Sequence, residues 1–146
     1  MTTVSDLLKE KGDKVWSIGP EDTVYNAIKL MDAKGIGALA VVMDGKLVGI
    51  ISERDYARKV ILKDRVSKQT RVEEIMTRDV FYTFPEQDVE ACMVVMTTHC
   101  IRHLPVMQDK KIAGMITLGD VVKDIIKEQK DKIKYLEDYV TWSESY

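Results

Sequence analysis

The sequence predicts an α+β fold built from two β-α-β-β-α repeats related by a pseudo-twofold axis, followed by a C-terminal helical tail. Three observations carry this prediction. Residues 15–61 align with residues 80–126 at a constant offset of 65 positions, without a gap. Within each copy the apolar pattern passes from helical spacing to nearly continuous, strand-like runs. A turn dipeptide, Asp44-Gly45 and then Asp109-Lys110, divides those runs in each copy.

The elements follow in order. Residues 15–18 are a short apolar lead-in strand, stopped by Pro20. Asp22 or Thr23 can cap the next helix, in which Val24, Ala27, Ile28 and Met31 share one face. Lys34-Gly35 reads as a basic last turn and a C′ glycine. Residues 38–43 form a buried strand, Asp44-Gly45 a hairpin turn and 47–51 the partner strand. Ser52 caps a helix from Glu53 to about Ile61. The second copy repeats this pattern. Val89, Cys92, Met93 and Met96 are its helix face, 104–107 and 112–116 its strands, and Thr117 the cap of a helix beginning near Gly119. Cys100 stands where the first copy has Gly35, so that helix end must tolerate a side chain or use another geometry.

Two segments fall outside the alignment. Residues 62–71 are polar and basic and read as a connector. Val72, Ile75 and Met76 echo Val4, Leu7 and Leu8, so the repeat begins one short helix earlier. The expected division is 1–66 for the first repeat with its N-terminal helix and connector, 67–130 for the second repeat, and 131–146 for the tail. In the tail Ile126, Ile133 and Val140 are seven apart, with Gln129 and Leu136 between them. That seam suits helix packing, on the body or on a second chain.

Composition narrows the function. A formal net charge of −2 argues against nucleic-acid or membrane-surface partners, and no apolar run approaches a membrane span. The first residues lack the pattern of a signal peptide. Two cysteines, Cys92 and Cys100, form no disulfide framework, which favours a reduced, cytoplasmic setting. One repeat of roughly 50–60 residues is marginal alone, so the two are expected to fold against each other.

The chemistry-bearing unit is hydroxyl–x–x–carboxylate where a strand enters a helix: Ser52 to Asp55, and Thr117 to Asp120. Such an Asp can accept hydrogen bonds from both hydroxyls of a ribose, and the helix N-terminus favours an anion. Gly49 and Gly114 would let a flat base approach the strand. The alternative is an ordinary N-cap with an acidic N3 residue. The copies differ in their cations. Arg54 has Gly119 as its counterpart, and Arg102-His103 have Gly37-Ala38. Arginine suits phosphate, although Arg54 and Arg102 read equally well as solvated surface residues. His103 also reads as an interior histidine, or as a metal ligand with His99 and Cys100. Those three residues span a helix end and a strand without a fourth ligand, so no metal site is expected. No catalytic constellation is evident.

Gly49-Ile50-Ile51-Ser52-Glu53-Arg54-Asp55, Gly114-Met115-Ile116-Thr117-Leu118-Gly119-Asp120 and Ile101-Arg102-His103-Leu104-Pro105-Val106 together resemble a tandem CBS-domain protein, the Bateman module, over roughly residues 4–126. The resemblance extends to a stand-alone, two-repeat subgroup. It implies a sensor of an adenosine-containing ligand rather than an enzyme: AMP foremost, with ATP, ADP, NAD(H) or S-adenosylmethionine open, and no required cofactor. The implied ligand residues are Asp120, Thr117, Arg102, His103, Leu104, Pro105, Thr83, Asp55, Ser52, Arg54, Gly37, Ala38 and Ser17. Asp120 would hold the ribose of an AMP-like ligand, with Arg102, His103 and Arg54 facing its phosphate, and a second site around Asp55 would be looser or differently selective. A homodimer and an unidentified regulated protein are the implied partners. Two further readings are a dimerisation scaffold with degenerate sites and an inosine monophosphate dehydrogenase-related enzyme, for which the chain offers neither barrel nor cysteine loop.

Overall fold

The computed structural model describes residues 2–144, with side chains through Thr141. Met1 and residues 145–146, the outer ends of the expected first repeat and tail, lie outside the described residues. Apart from the lead-in strand of the second repeat, both repeats follow the expected element order. The first has α1 (Val4–Lys11), β1 (Ser17–Ile18), α2 (Val24–Lys34), β2 (Ala38–Met43), β3 (Lys46–Ser52) and α3 (Glu53–Lys59). The second has α4 (Val72–Ile75), α5 (Val89–Thr98), β4 (His103–Gln108), β5 (Lys111–Thr117) and α6 (Leu118–Glu144).

The internal symmetry reaches the backbone. β2 and β3 pair antiparallel with a bulge between Val41 and Val42, and β4 and β5 pair with one between Val106 and Met107. Asp44 and Gly45 both have positive φ, as a tight primed hairpin turn demands, and so do Asp109 and Lys110. Gly35 and Cys100 are both left-handed, at φ 63° and 54°. In each case a six-residue ring closes the helix, from Ile36 N–H to the Met31 carbonyl and from Ile101 N–H to the Met96 carbonyl, both at 3.0 Å. The cap therefore keeps its geometry, and Cys100 bears about 1 kcal/mol of strain.

The lead-in strand departs from expectation. In the first repeat it shrinks to β1, parallel to β2. In the second it is reduced to one parallel bridge, Thr83 with Val106.

The leading helices are exchanged between the repeats. Val4, Leu7 and Leu8 of α1 are buried with Val89, Cys92, Met96, Leu104, Ile116 and Val121 of the second repeat. Val72, Ile75 and Met76 are buried with Val24, Met31, Leu39 and Ile51 of the first. Paired hydrogen bonds fasten each graft: Val4 N–H to Gln87 O and Val72 N–H to Asp22 O (2.8 Å each), then Val89 N–H to Thr2 O (3.0 Å) and Val24 N–H to Thr70 O (2.8 Å). The sequence boundary near residue 66 is thus not the packing boundary. A four-residue helix such as α4 has no stability of its own, and burial of its apolar side chains, roughly 1.5–3 kcal/mol each, holds it in place.

This exchange reassigns the two strand glycines. A Cβ at Gly114 would lie 2.8 Å from Leu8 Cδ2, and one at Gly49 would lie 2.7 Å from Met76 Sδ and 2.9 Å from the Thr77 carbonyl. The missing side chains admit the grafted segments, not a base. Gly49→Ala should lower stability to urea by about 1–3 kcal/mol. Gly114→Ala should cost less, because the terminal carbons of Leu8 can shift and the Thr77 carbonyl, paired to Ile50, cannot. Equilibrium unfolding of both variants checks the order.

Candidate functional site

Both hydroxyl–x–x–carboxylate units form at strand-to-helix junctions as reciprocal caps. Asp55 N–H donates to Ser52 Oγ (3.2 Å), and Ser52 N–H donates to Asp55 Oδ2 (3.0 Å). Asp120 N–H donates to Thr117 Oγ1 (3.1 Å), and Thr117 N–H to Asp120 Oδ2 (2.8 Å). The N-cap geometry is real, and it pins each carboxylate at a helix N-terminus.

Each carboxylate is also paired with a lysine, which sequence reasoning missed. Lys59 Nζ lies 3.0 Å from Asp55 Oδ1, one turn along the same helix, and also donates to the Ile75 carbonyl. The position equivalent to Lys59 in the second repeat is Asp124, an acid, so no lysine arises there from the same helix. Lys11, at the end of α1, supplies the charge instead. Its Nζ donates to Asp120 Oδ2 and, at 2.7 Å, to the Met115 carbonyl. The only sequence trace of this is a lysine in the last turn of a helix whose destination was unknown.

The arginines and histidine gather where the repeats meet. Gly37 faces His103: a Cβ there would sit 3.5 Å from His103 Cε1 and 4.0 Å from Glu53 Cδ. Arg54 reaches across to the other repeat, where Nη1 donates to the Cys100 carbonyl at 2.8 Å. Arg102 is exposed, and its carbonyl accepts from Leu118 N–H, as the Gly37 carbonyl accepts from Glu53 N–H. Arg54 of one copy and Arg102-His103 of the other therefore lie on the same boundary.

Other residues have structural duties. Thr83 is buried, its hydroxyl accepting from Cys92 Sγ at 3.4 Å, so it faces the second core rather than an open cleft. Leu104, Pro105 and Ala38 are buried along their strands and can offer a ligand backbone atoms only. Ser17 is exposed on β1. His99 stacks on Phe81 at 4.0 Å, away from any metal role. Its counterpart Lys34 lies over Trp16, with Lys14 on the same ring. Among the described residues no group of three His, Cys, Asp or Glu side chains is placed to hold a metal. A cavity of about 300 Å³ opens beside Asp120, lined by Leu7, Glu10, Lys11, Lys123, Asp124 and Lys127.

Electrostatics distinguishes this end. Burial alone would raise the Asp120 carboxyl. The Lys11 ammonium and the Thr117 backbone and hydroxyl outweigh it and hold the group below the usual carboxylate value of 3.8. Burial lowers the His103 pKa from its ordinary 6.5, Lys11 and Arg102 lower it further, and Asp120 opposes them.

A family model described as CBS domain matches residues 4–62 and 72–127. The chain belongs to the CBS-domain family. A protein with CBS domains from Burkholderia ambifaria shares 51% identity and a TM-score of 0.84, over 88% of this chain and 96% of that one. The mitochondrial CBS domain-containing protein CBSX3 of Arabidopsis thaliana is 43% identical, over 95% of this chain and 72% of that protein. The CBS domain pair of protein MJ0100, in complex with 5′-methylthioadenosine and S-adenosyl-L-methionine, is 27% identical with a TM-score of 0.78, over 88% of this chain and 98% of that one. The CBS repeats here follow the same α+β pair. Among the described residues no helix is long and apolar enough to cross a membrane.

One pH effect follows. A histidine whose folded pKa is lowered binds its proton more readily when unfolded. Its contribution is intact above the ordinary value of 6.5 and is lost as pH falls through that value towards the folded pKa. The wild-type protein should therefore lose more melting temperature between about pH 7.5 and pH 5.5 than His103→Gln. Scanning fluorimetry at both pH values reads the difference, and equal losses would mean that His103 titrates normally.

Proposed function

We propose that this CBS pair is a regulatory module that binds an adenosine-containing nucleotide between its repeats. It works as a homodimer in a reducing, cytoplasmic setting and modulates another protein without catalysis of its own. AMP is the foremost ligand, with ATP and NAD(H) as the wider class. The observation that carries the reading is the boundary where Arg54 reaches the Cys100 carbonyl and Gly37 faces His103, with one reciprocal hydroxyl–carboxylate cap in each repeat. The adenosine ligands of the MJ0100 pair support it.

In this reading Asp120 accepts from the ribose hydroxyls, while Arg102, His103 and Arg54 face the phosphate. Lys11 must first release Asp120, so the ligand competes with a contact that anchors the end of α1. Because α1 is packed in the opposite repeat, occupancy alters the balance between the two halves and any surface that depends on it. The Asp55 seat, closed by a lysine of its own helix, is the weaker of the two.

One observation favours the scaffold reading instead: both carboxylates already hold a lysine. A thermal-shift screen with AMP, ADP, ATP, NADH and S-adenosylmethionine separates the two, since a scaffold with spent sites gives no shift. Calorimetry should show AMP binding abolished by Asp120→Ala; unchanged affinity would remove Asp120 from the site. Lys11→Met should tighten binding of adenosine, by up to about fivefold, because a part-exposed ion pair worth roughly 0.2–1 kcal/mol no longer competes. Incubation with IMP and NAD should yield no NADH.

A further inference from the structure

Every residue of α6 from Gln129 to Thr141 is exposed. Yet Ile133, Tyr135, Leu136, Tyr139 and Val140 in that stretch are each more than half exposed, and Val122 and Ile126 before it are 40% and 48% exposed. A helix of this length held only at its base is marginal in water without an apolar partner.

Its three faces differ. Leu118, Val121 and Ile125 pack into the second core, and Lys123, Asp124 and Lys127 line the cavity beside α1. Val122, Ile126, Gln129, Ile133, Leu136 and Val140 fall on a third face, at alternating steps of four and three residues. In heptad terms Ile126, Ile133 and Val140 are a positions, and Val122, Gln129 and Leu136 are d positions. β-Branched residues at every a position, with Leu136 at one of the three d positions, favour two parallel strands. Gln129 is the one polar residue in this seam.

Charge selects the same arrangement. In a parallel, in-register pair Lys132 at g meets Glu137 at e of the second copy. An antiparallel pair that aligns a with d brings Lys130 onto Lys130 and Lys132 onto Lys132. We infer that residues 122–140 of α6 form a parallel, in-register, two-stranded coiled coil with a second copy of this chain. The inference rests on the homodimer reading above and is independent of the nucleotide.

The test uses the full chain with Cys100→Ser, the exposed thiol. Ile126→Cys and Val140→Cys, each alone, should give disulfide-linked dimers under mild oxidation. A product formed only when Ile126→Cys is mixed with Leu136→Cys would mean antiparallel helices and overturn the assignment. Ile133→Asp with Leu136→Asp should halve the mass in sedimentation while retaining a cooperative thermal transition. A dimer that survives those substitutions overturns the seam and leaves the homodimer reading standing, whereas a wild-type monomer overturns both.

Discussion

The structure depends on one exchange. Each repeat lacks a piece of its own core and receives it from the other: α1 goes to the second core and α4 to the first. Neither core is made by its own repeat alone, and the two repeats are tied to each other by the exchange. The strand glycines are bare because grafted segments cross them, and α1 is held firmly enough for its last residue to reach Asp120. The boundary where arginines and histidine collect exists because the two halves are tied across it.

Against that symmetric frame, one charge reversal separates the seats. Lys59 in the first repeat corresponds to Asp124 in the second. The first carboxylate is neutralised by its own helix. The second would face another acid on the next turn, and Lys11 arrives from the far end of the chain to balance it. Asp124 Oδ2 is buried without a hydrogen-bond partner among the described residues, which leaves an acceptor beside the Asp120 cavity. Equal folds thus carry unequal electrostatics, and the inequality is concentrated in the repeat that also carries Arg102 and His103.

Much of this was legible from residue spacing. The offset of 65 located both hairpins and both helix caps, because turn chemistry and apolar period are local properties. The echo of Val4, Leu7 and Leu8 in Val72, Ile75 and Met76 revealed the short helices. Their destination stayed hidden, since an apolar triplet reads the same whichever core it enters. Lys11 was invisible for that reason, its contact with Asp120 being set by tertiary exchange. Gly49 and Gly114 were marked as close approaches, but a glycine does not say what approaches. The burial of Thr83 against Cys92 was not legible either, because its lead-in segment is reduced to one bridge.

The exchange also bears on how the chain comes to be folded during synthesis. The first core is complete once Met76 has left the ribosome, since nothing beyond that residue enters it. The second draws on Val4 at one extreme and Val121 at the other. Val4, Leu7 and Leu8, made before either core is complete, are therefore among the last to be buried. Val4, Leu7 and Leu8 must wait in water while more than a hundred residues follow, a long loop closure that slows folding and leaves an apolar helix open to wrong partners. Thr3 and Asp6, which cap that helix reciprocally, give it local order for the interval.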